Sequence, residues 1–332
     1  MMPAFVEVEG LTKQYGSLTA VDGISFAVER GEVFGLLGPN GAGKTTTISM
    51  LTGVLAPTAG TARIGGHDIR TDLAAAKRLN GLVPQDLALY PTLSARTNLS
   101  FFGRIYGLSG RALRERVADV LRIVSLEERA DDAIETYSGG MKRRVNIAAG
   151  LVHQPELLFL DEPTVGVDPQ SRAAIFDSVG ALNRSRGMSI IYTTHYMEEV
   201  ELLCNRAAII DHGRIIAMDT IQNLLGLLGG GVIHLGVANA DGDLLAGLRA
   251  LPGIRSAEVM DAGSPAAPGE EAAAASPGEG MQITLTAERA REAVVPVIGL
   301  LNARDVDLTG LEILEPNLES VFLHLTGRKL RE

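Results

Sequence analysis

The sequence has a single cysteine, Cys204, among 332 residues, so no internal disulfide can form and a stable fold must come from packing. It also lacks a run long enough to span a bilayer. The most apolar stretch, Leu224 to Ala238, falls short of the roughly 18 to 20 residues a spanning helix needs, and five glycines and His234 interrupt it. Basic residues are not in excess: 30 Lys and Arg stand against 40 Asp and Glu, a net charge of −10, which argues against a generic nucleic-acid binder. The start, Met1 to Glu7, has neither the basic end nor the apolar run of a secretory signal, so a reducing cytoplasm is expected.

What is present is apolar surface. With 46% hydrophobic residues, a chain of this length can bury roughly 70% or more of its unfolded surface, and at roughly 150 residues per domain it suggests two domains. The charge divides the same way. Met1 to Met218 holds 22 basic and 24 acidic residues, whereas Asp219 to Glu332 holds 8 and 16, which places a boundary near residue 218.

The first part alternates short β-rich runs with amphipathic helical runs, the pattern of a mostly parallel sheet flanked by helices. Val33 to Leu37, Leu157 to Leu160 and Ser189 to Thr193 read as buried strands, and each ends in polar residues, at the edge where ligands of such sheets sit. Leu113, Val117, Val120, Leu121 and Val124 have the spacing of one apolar helix face. The second part reads strand, helix, strand, strand, helix, strand and a last helix, the order of a ferredoxin-like unit. Its central hairpin contains a Pro, Ala, Gly, Ser and Glu segment, residues 262–280, expected to be a mobile loop because it cannot bury enough apolar surface to order itself.

Gly38-Pro39-Asn40-Gly41-Ala42-Gly43-Lys44-Thr45 is a full phosphate-binding loop between a predicted strand and a predicted helix. Its glycines let backbone N–H groups converge on phosphate oxygens at the positive end of a helix dipole. Lys44 is then expected to neutralise phosphate charge and Thr45 to ligate Mg²⁺, with Thr46 following on the same loop. Asp161, at a strand end, is the second group on the metal side, and Glu162 beside it is placed to polarise an attacking water.

These residues resemble the ATP-binding cassette family over essentially all of residues 1–218. Gln85, the run Tyr137-Ser138-Gly139-Gly140-Met141, the pair Asp161-Glu162, the turn Gly166-Val167-Asp168 and His195 stand in the family's order. The resemblance implies an α/β fold: a P-loop ATPase domain with a mostly parallel core sheet, antiparallel N-terminal strands and a helical subdomain at about 86–150, then a small α+β ferredoxin-like domain, 219–332. It implies that Tyr15 stacks on adenine, although Tyr15 could equally be an ordinary half-buried aromatic. It implies that Gln85 sits near Mg²⁺ and the lytic water, that His195 bonds the γ-phosphate and that Asp161 holds the ion through water. It implies further that Ser138, Gly139 and Gly140 grip the ATP held by a second copy, in a head-to-tail dimer holding two ATP molecules, and that Asp168 belongs to the nucleotide-binding set.

Tyr137 and Met141 replace the usual Leu and Gln of the signature run, and Val165-Gly166-Val167 replaces Ser-Gly-Leu. This variant, with the ending Glu315 to Gly327, resembles the daunorubicin-resistance drug-exporter group, whose ATP-binding subunits are separate chains. The expected function is ATP hydrolysis driving export through a separately encoded permease at the cytoplasmic face of the membrane, with no nucleic-acid partner. The competing reading is a soluble ATPase of the same fold, acting in cofactor assembly, on DNA or on ribosomes. The resemblance implies that a permease helix docks near Gln85 and the stretch Leu87 to Leu93, before a helix starting at Ser94, a stretch that reads equally as core packing. Arg143-Arg144 reads as a solvated or phosphate-side helix face, and Cys204 as a packed thiol.

Overall fold

The structure, a computed structural model, describes residues 4–228, 230–238, 243–259, 281–314 and 316–326. Tertiary contacts divide it into two compact units, the first ending at Ile221 and the second beginning at Gln222. No helix among the described residues is long and apolar enough to cross a membrane.

Along the first unit run β1 (Val6–Tyr15), β2 (Leu18–Val28), β3 (Val33–Leu37), α1 (Lys44–Leu51), β4 (Ala59–Ile64), β5 (His67–Asp68), α2 (Leu73–Leu79), β6 (Asn80–Val83), α3 (Ala95–Ile105), α4 (Gly110–Ile123), α5 (Gly139–Leu151), β7 (Leu157–Asp161), α6 (Pro169–Arg186), β8 (Ser189–Thr194), α7 (Met197–Leu203), β9 (Arg206–Asp211) and β10 (Arg214–Thr220). They form two sheets. One is antiparallel, in the order β2-β1-β4-β5. The other has six strands, in the order β10-β9-β3-β8-β7-β6. It is parallel from β9 to β6, with β10 antiparallel at one edge.

Every residue of β3, β7 and β8 is buried, because successive side chains enter two different cores. Leu158, Leu160, Ile190 and Tyr192 face the core shared with α3 to α6. Phe34, Leu36, Leu157, Phe159 and Ile191 face the core shared with α1 and the antiparallel sheet. Since the strands are parallel, the carboxyl ends of β3, β6, β7 and β8 fall on one sheet edge. There the chain supplies Gly38 onward, Gln85, Asp161-Glu162 and His195.

Between β6 and β7 lies the helical insert. Ser94 caps α3 by accepting from the Thr97 N–H at 3.1 Å, and Leu113, Val117, Val120, Leu121 and Val124 line the buried face of α4. Tyr137 is buried with its hydroxyl donating to the Arg129 carbonyl, and Met141 packs against the same core. Three of the departures, Tyr137, Met141 and Val167, therefore pack in or against this core, with the added hydroxyl satisfied.

Arg143 and Arg144 are not a solvated or phosphate-side face. Arg143 is buried, and its Nη1 donates to the carbonyls of Gln85 at 2.6 Å and Pro84 at 3.3 Å. Arg144 donates to the Val124 carbonyl at the end of α4 at 2.9 Å. Both side chains satisfy backbone acceptors that have no helical or strand partner of their own, and burial holds both guanidinium pKa values below their usual range. Cys204 packs beside Gly35 and this core, where burial pushes its thiol up.

In the second unit, α8 (Ile221–Gly226) leads into β11 (Gly231–Ala238), α9 (Leu244–Arg249), β12 (Ile254–Val259), β13 (Met281–Ala287), α10 (Ala290–Ala303), β14 (Asp307–Leu314) and α11 (Leu318–Thr326). The sheet order is β12-β13-β11-β14, antiparallel throughout, which is the split β-α-β-β-α-β arrangement. Ile233, Leu235, Val237, Ile283 and Leu285 form one face and pack on Leu244 and Leu248 of α9 and on Val297 and Leu301 of α10. The low-complexity segment 262–280 lies outside the described residues.

α5 reaches the sheet through a close backbone approach. A Cβ on Gly81 would stand 2.1 Å from the Gly150 carbonyl oxygen, and one on Gly150 would stand 2.9 Å from Val83. Gly81→Ala should therefore destabilise the first unit by about 1–3 kcal/mol, measured as a lower denaturant midpoint at unchanged slope.

Candidate nucleotide-binding and catalytic site

The loop from Gly38 to Gly43 joins β3 to α1, and its glycines are required sterically. Gly43 takes φ 109°, and a Cβ there would meet the Ala20 carbonyl oxygen at 2.6 Å. Below the loop is a cavity of about 180 Å³ lined by Ala20, Asn40, Gly41, Gly43, Lys44, Thr45, Thr46, Gln85 and Glu162. Lys44, 4% exposed, donates from Nζ to the carbonyls of Gly38 at 2.7 Å and Pro39 at 3.1 Å and pairs with Glu162 Oε1 at 3.0 Å. The ammonium thus lies inside a ring of acceptors at the mouth of an anion site.

Asp161 ends β7 and turns into the same region. Its Oδ1 accepts from the hydroxyls of Thr45 at 3.2 Å and Thr193 at 2.7 Å. Burial pushes its carboxyl up, more than those two hydroxyls pull it down.

Glu162, 4% exposed, is the hub. Besides Lys44, its Oε2 accepts from Gln85 Nε2 at 3.4 Å and lies 3.2 Å from His195 Nδ1. Consecutive strand residues point to opposite faces, so a pair of adjacent carboxylates does not share an edge unless the backbone turns. It turns at Glu162, where φ is 45°. The left-handed conformation costs about 1–3 kcal/mol for such a residue, and two hydrogen bonds from the Glu162 N–H hold it, to the Thr193 carbonyl at 3.1 Å and the Thr193 hydroxyl at 3.0 Å.

The candidate residues fall into two groups. Lys44, Thr45, Gln85, Asp161, Glu162 and His195 come together at the sheet edge, whereas Ser138, Gly139, Gly140 and Asp168 meet elsewhere. Ser138 caps α5 by accepting from the Met141 N–H at 3.2 Å, and Asp168 caps α6 by accepting from the Ser171 N–H at 2.9 Å. That backbone bond holds the Asp168 carboxyl below its usual range. A Cβ on Gly140 would stand 2.0 Å from Ser171 Oγ, so the two caps pack against each other. Tyr15 ends β1 opposite Leu18, is 47% exposed, and has Lys13 Nζ 5.2 Å from its ring.

Thr193, which carries no motif of its own, donates to the Asp161 carboxylate and accepts from the Glu162 N–H. Its signal was its place in the polar end of β8. Ala20 also lines the cavity, and no side-chain chemistry marks it.

Taken with a parallel sheet that delivers four loops to one edge, a glycine loop over a paired lysine and glutamate defines a P-loop nucleotide-hydrolysing domain. Similarity to known proteins narrows the class. Residues 21–165 match the ABC transporter family. The chain is 46% identical, over 98% of its length and 100% of the other, to the linearmycin resistance ATP-binding protein LnrL of Bacillus subtilis. It is 36% identical, over 100% of its length and 99% of the other, to the daunorubicin resistance ATP-binding protein DrrA3 of Streptomyces coeruleorubidus. Among solved structures, cbiO1 from Clostridium perfringens, part of the ABC transporter complex cbiONQ, aligns at TM-score 0.62 and 30% identity over 67% of this chain and 91% of that one. The chain belongs to the ABC transporter family, as an ATP-binding protein that hydrolyses ATP.

Two substitutions test the hub. Glu162→Gln should keep ATP binding and lower steady-state turnover about 10²- to 10⁴-fold, read by phosphate release. Lys44→Ala should instead weaken ATP binding itself, read by nucleotide titration.

Proposed function

We infer that the protein is the ATP-driven subunit of an exporter for drugs or other small amphipathic molecules, acting through a separate integral-membrane permease at the cytoplasmic face of the membrane. The observation that carries this reading is an apolar surface beside the catalytic edge. Leu87, Tyr90 and Leu93, in the segment after Gln85, and Phe101 and Ile105 of α3 are exposed, with the rings of Tyr90 and Phe101 edge to face at 5.1 Å. Exposed apolar side chains in the segment that follows the proposed catalytic glutamine suit an apolar helix from a partner. Asn98 fixes the shape of that segment, accepting from the Tyr90 N–H at 2.8 Å and donating to the Tyr90, Leu93 and Ser94 carbonyls. The relatives are named for resistance to linearmycin and to daunorubicin, and extrusion of such compounds is the corresponding task for this chain. Membership of a transporter family favours this over a soluble ATPase serving cofactor assembly, DNA or ribosomes.

In this reading, ATP phosphates enter below the glycine loop and take Lys44 as partner. Glu162 orients and deprotonates the attacking water, Gln85 holds that water, and His195 donates to the γ-phosphate. Ser138 to Gly140 and Asp168 contact the nucleotide of a second copy, so two ATP molecules lie between two chains arranged head to tail. Tyr15, exposed at the end of β1, stacks on the adenine.

A divalent cation fits between Thr45 and Asp161. A hydroxyl and a carboxylate are hard oxygen donors, and burial of Asp161 without a cation is unfavourable. Thr45, Gln85 and, through water, Asp161 would hold Mg²⁺, which when bound supplies neutralisation of phosphate charge.

Mild-detergent purification of the tagged protein from its host should recover an integral-membrane partner, and Leu87→Asp with Tyr90→Ala should release that partner while basal ATPase activity persists. Recovery of the wild-type chain with no integral-membrane protein would overturn the transport reading. Glu162→Gln should also accumulate as an ATP-dependent dimer in size-exclusion chromatography.

A further inference from the structure

Glu199, on α7, is 2% exposed and lies outside the group just described. A carboxylate out of water needs partners, and replacing a buried ionic group by an apolar one is often neutral or stabilising. Here the partners come from the segments that carry the catalytic groups. Oε1 accepts from the Thr164 hydroxyl at 2.6 Å, two residues past Glu162. Oε2 accepts from the Thr194 hydroxyl at 2.8 Å, directly before His195, and from the Tyr192 hydroxyl at 2.9 Å on the same strand. Thr164, Thr194 and Tyr192 are each at most 1% exposed. The Thr194 oxygen in turn accepts from the Tyr196 N–H at 2.9 Å, so the backbone is gripped on both sides of His195. Arg172 supplies the nearest positive charge, its Nε 3.8 Å from Oε1, with its guanidinium 5.0 Å from the Tyr196 ring.

We propose that Glu199 is a positioning residue for ATP hydrolysis, its buried carboxylate locking the segment of Glu162 to that of His195. This rests on the roles given above to Glu162 and His195. One carboxylate that accepts from both segments fixes their separation, and with it the 3.2 Å approach of His195 Nδ1 to Glu162 Oε2. Displacement of either group by about 1 Å can cost about 10²-fold in rate. Because Glu199 touches neither the cavity below the glycine loop nor Lys44, its loss should act on turnover and spare ATP affinity.

The test measures kcat, KM for ATP and ATP-binding stoichiometry for Glu199→Gln, Thr164→Val, Thr164→Ser and, as reference, Glu162→Gln. Thr164→Val is nearly isosteric and keeps the protein folded should Glu199→Gln fail to fold. Glu199→Gln and Thr164→Val should lower kcat about tenfold or more at a KM within about twofold of wild type, and Thr164→Ser, which restores the hydroxyl, should recover most of the rate. Wild-type kcat in Glu199→Gln and Thr164→Val, with Glu162→Gln inactive, overturns this inference alone. Loss of kcat only in proportion to ATP-binding stoichiometry, or a Thr164→Ser variant no better than Thr164→Val, overturns it as well. Full turnover in Glu162→Gln overturns the reading of the site and this inference with it.

Discussion

A carboxylate removed from water must be matched by positive charge or hydrogen-bond donors, and the first unit is arranged to supply both to Glu162. Lys44 comes from the start of α1, Gln85 from the segment after β6 and His195 from the end of β8. None of these is near Glu162 in sequence. They converge because β3, β6, β7 and β8 are parallel neighbours whose carboxyl ends share one edge, and the strands lie side by side because each buries alternate residues in two separate cores. The hydrophobic effect sets the positions of the strands, and the strands set the electrostatics.

Much of this was legible in the residues. Uninterrupted apolar runs such as Leu157 to Leu160 can be satisfied only by a strand covered on both faces, and the polar residues closing each run mark the edge. The alternation from Val232 to Leu314 likewise carried the order of the second sheet. What was not legible depends on contacts distant in sequence. Arg143 and Arg144 look like a charged surface pair, because charge on a helix normally goes to water; here they answer carbonyls left open by the Gln85 segment and the end of α4. Thr193, Thr194 and Glu199 look like ordinary polar residues near a strand end. Their roles follow from the left-handed turn at Glu162 and from the docking of α7, which no local pattern announces. The exposure of Leu87, Tyr90 and Leu93 was equally undecidable from composition, since an apolar residue before a helix can face either way.

Charge adds a second layer. Of the net −10, the residues up to Met218 contribute −2 and the remainder −8. Near neutrality suits a unit whose proposed partners are a polyanion and another copy of itself, because strong self-repulsion would oppose both. The excess negative charge resides in the sequence of the second unit, whose core is built from its own sheet and helices.

The Lys44–Glu162 pair couples two proposed roles through one charge. The Lys44 ammonium is held by two loop carbonyls and by the very carboxylate proposed to activate water. A phosphate bound as proposed would compete for the same ammonium and loosen its hold on Glu162. The loop thus carries its own internal competitor, since one ammonium is shared between the proposed phosphate site and the proposed base.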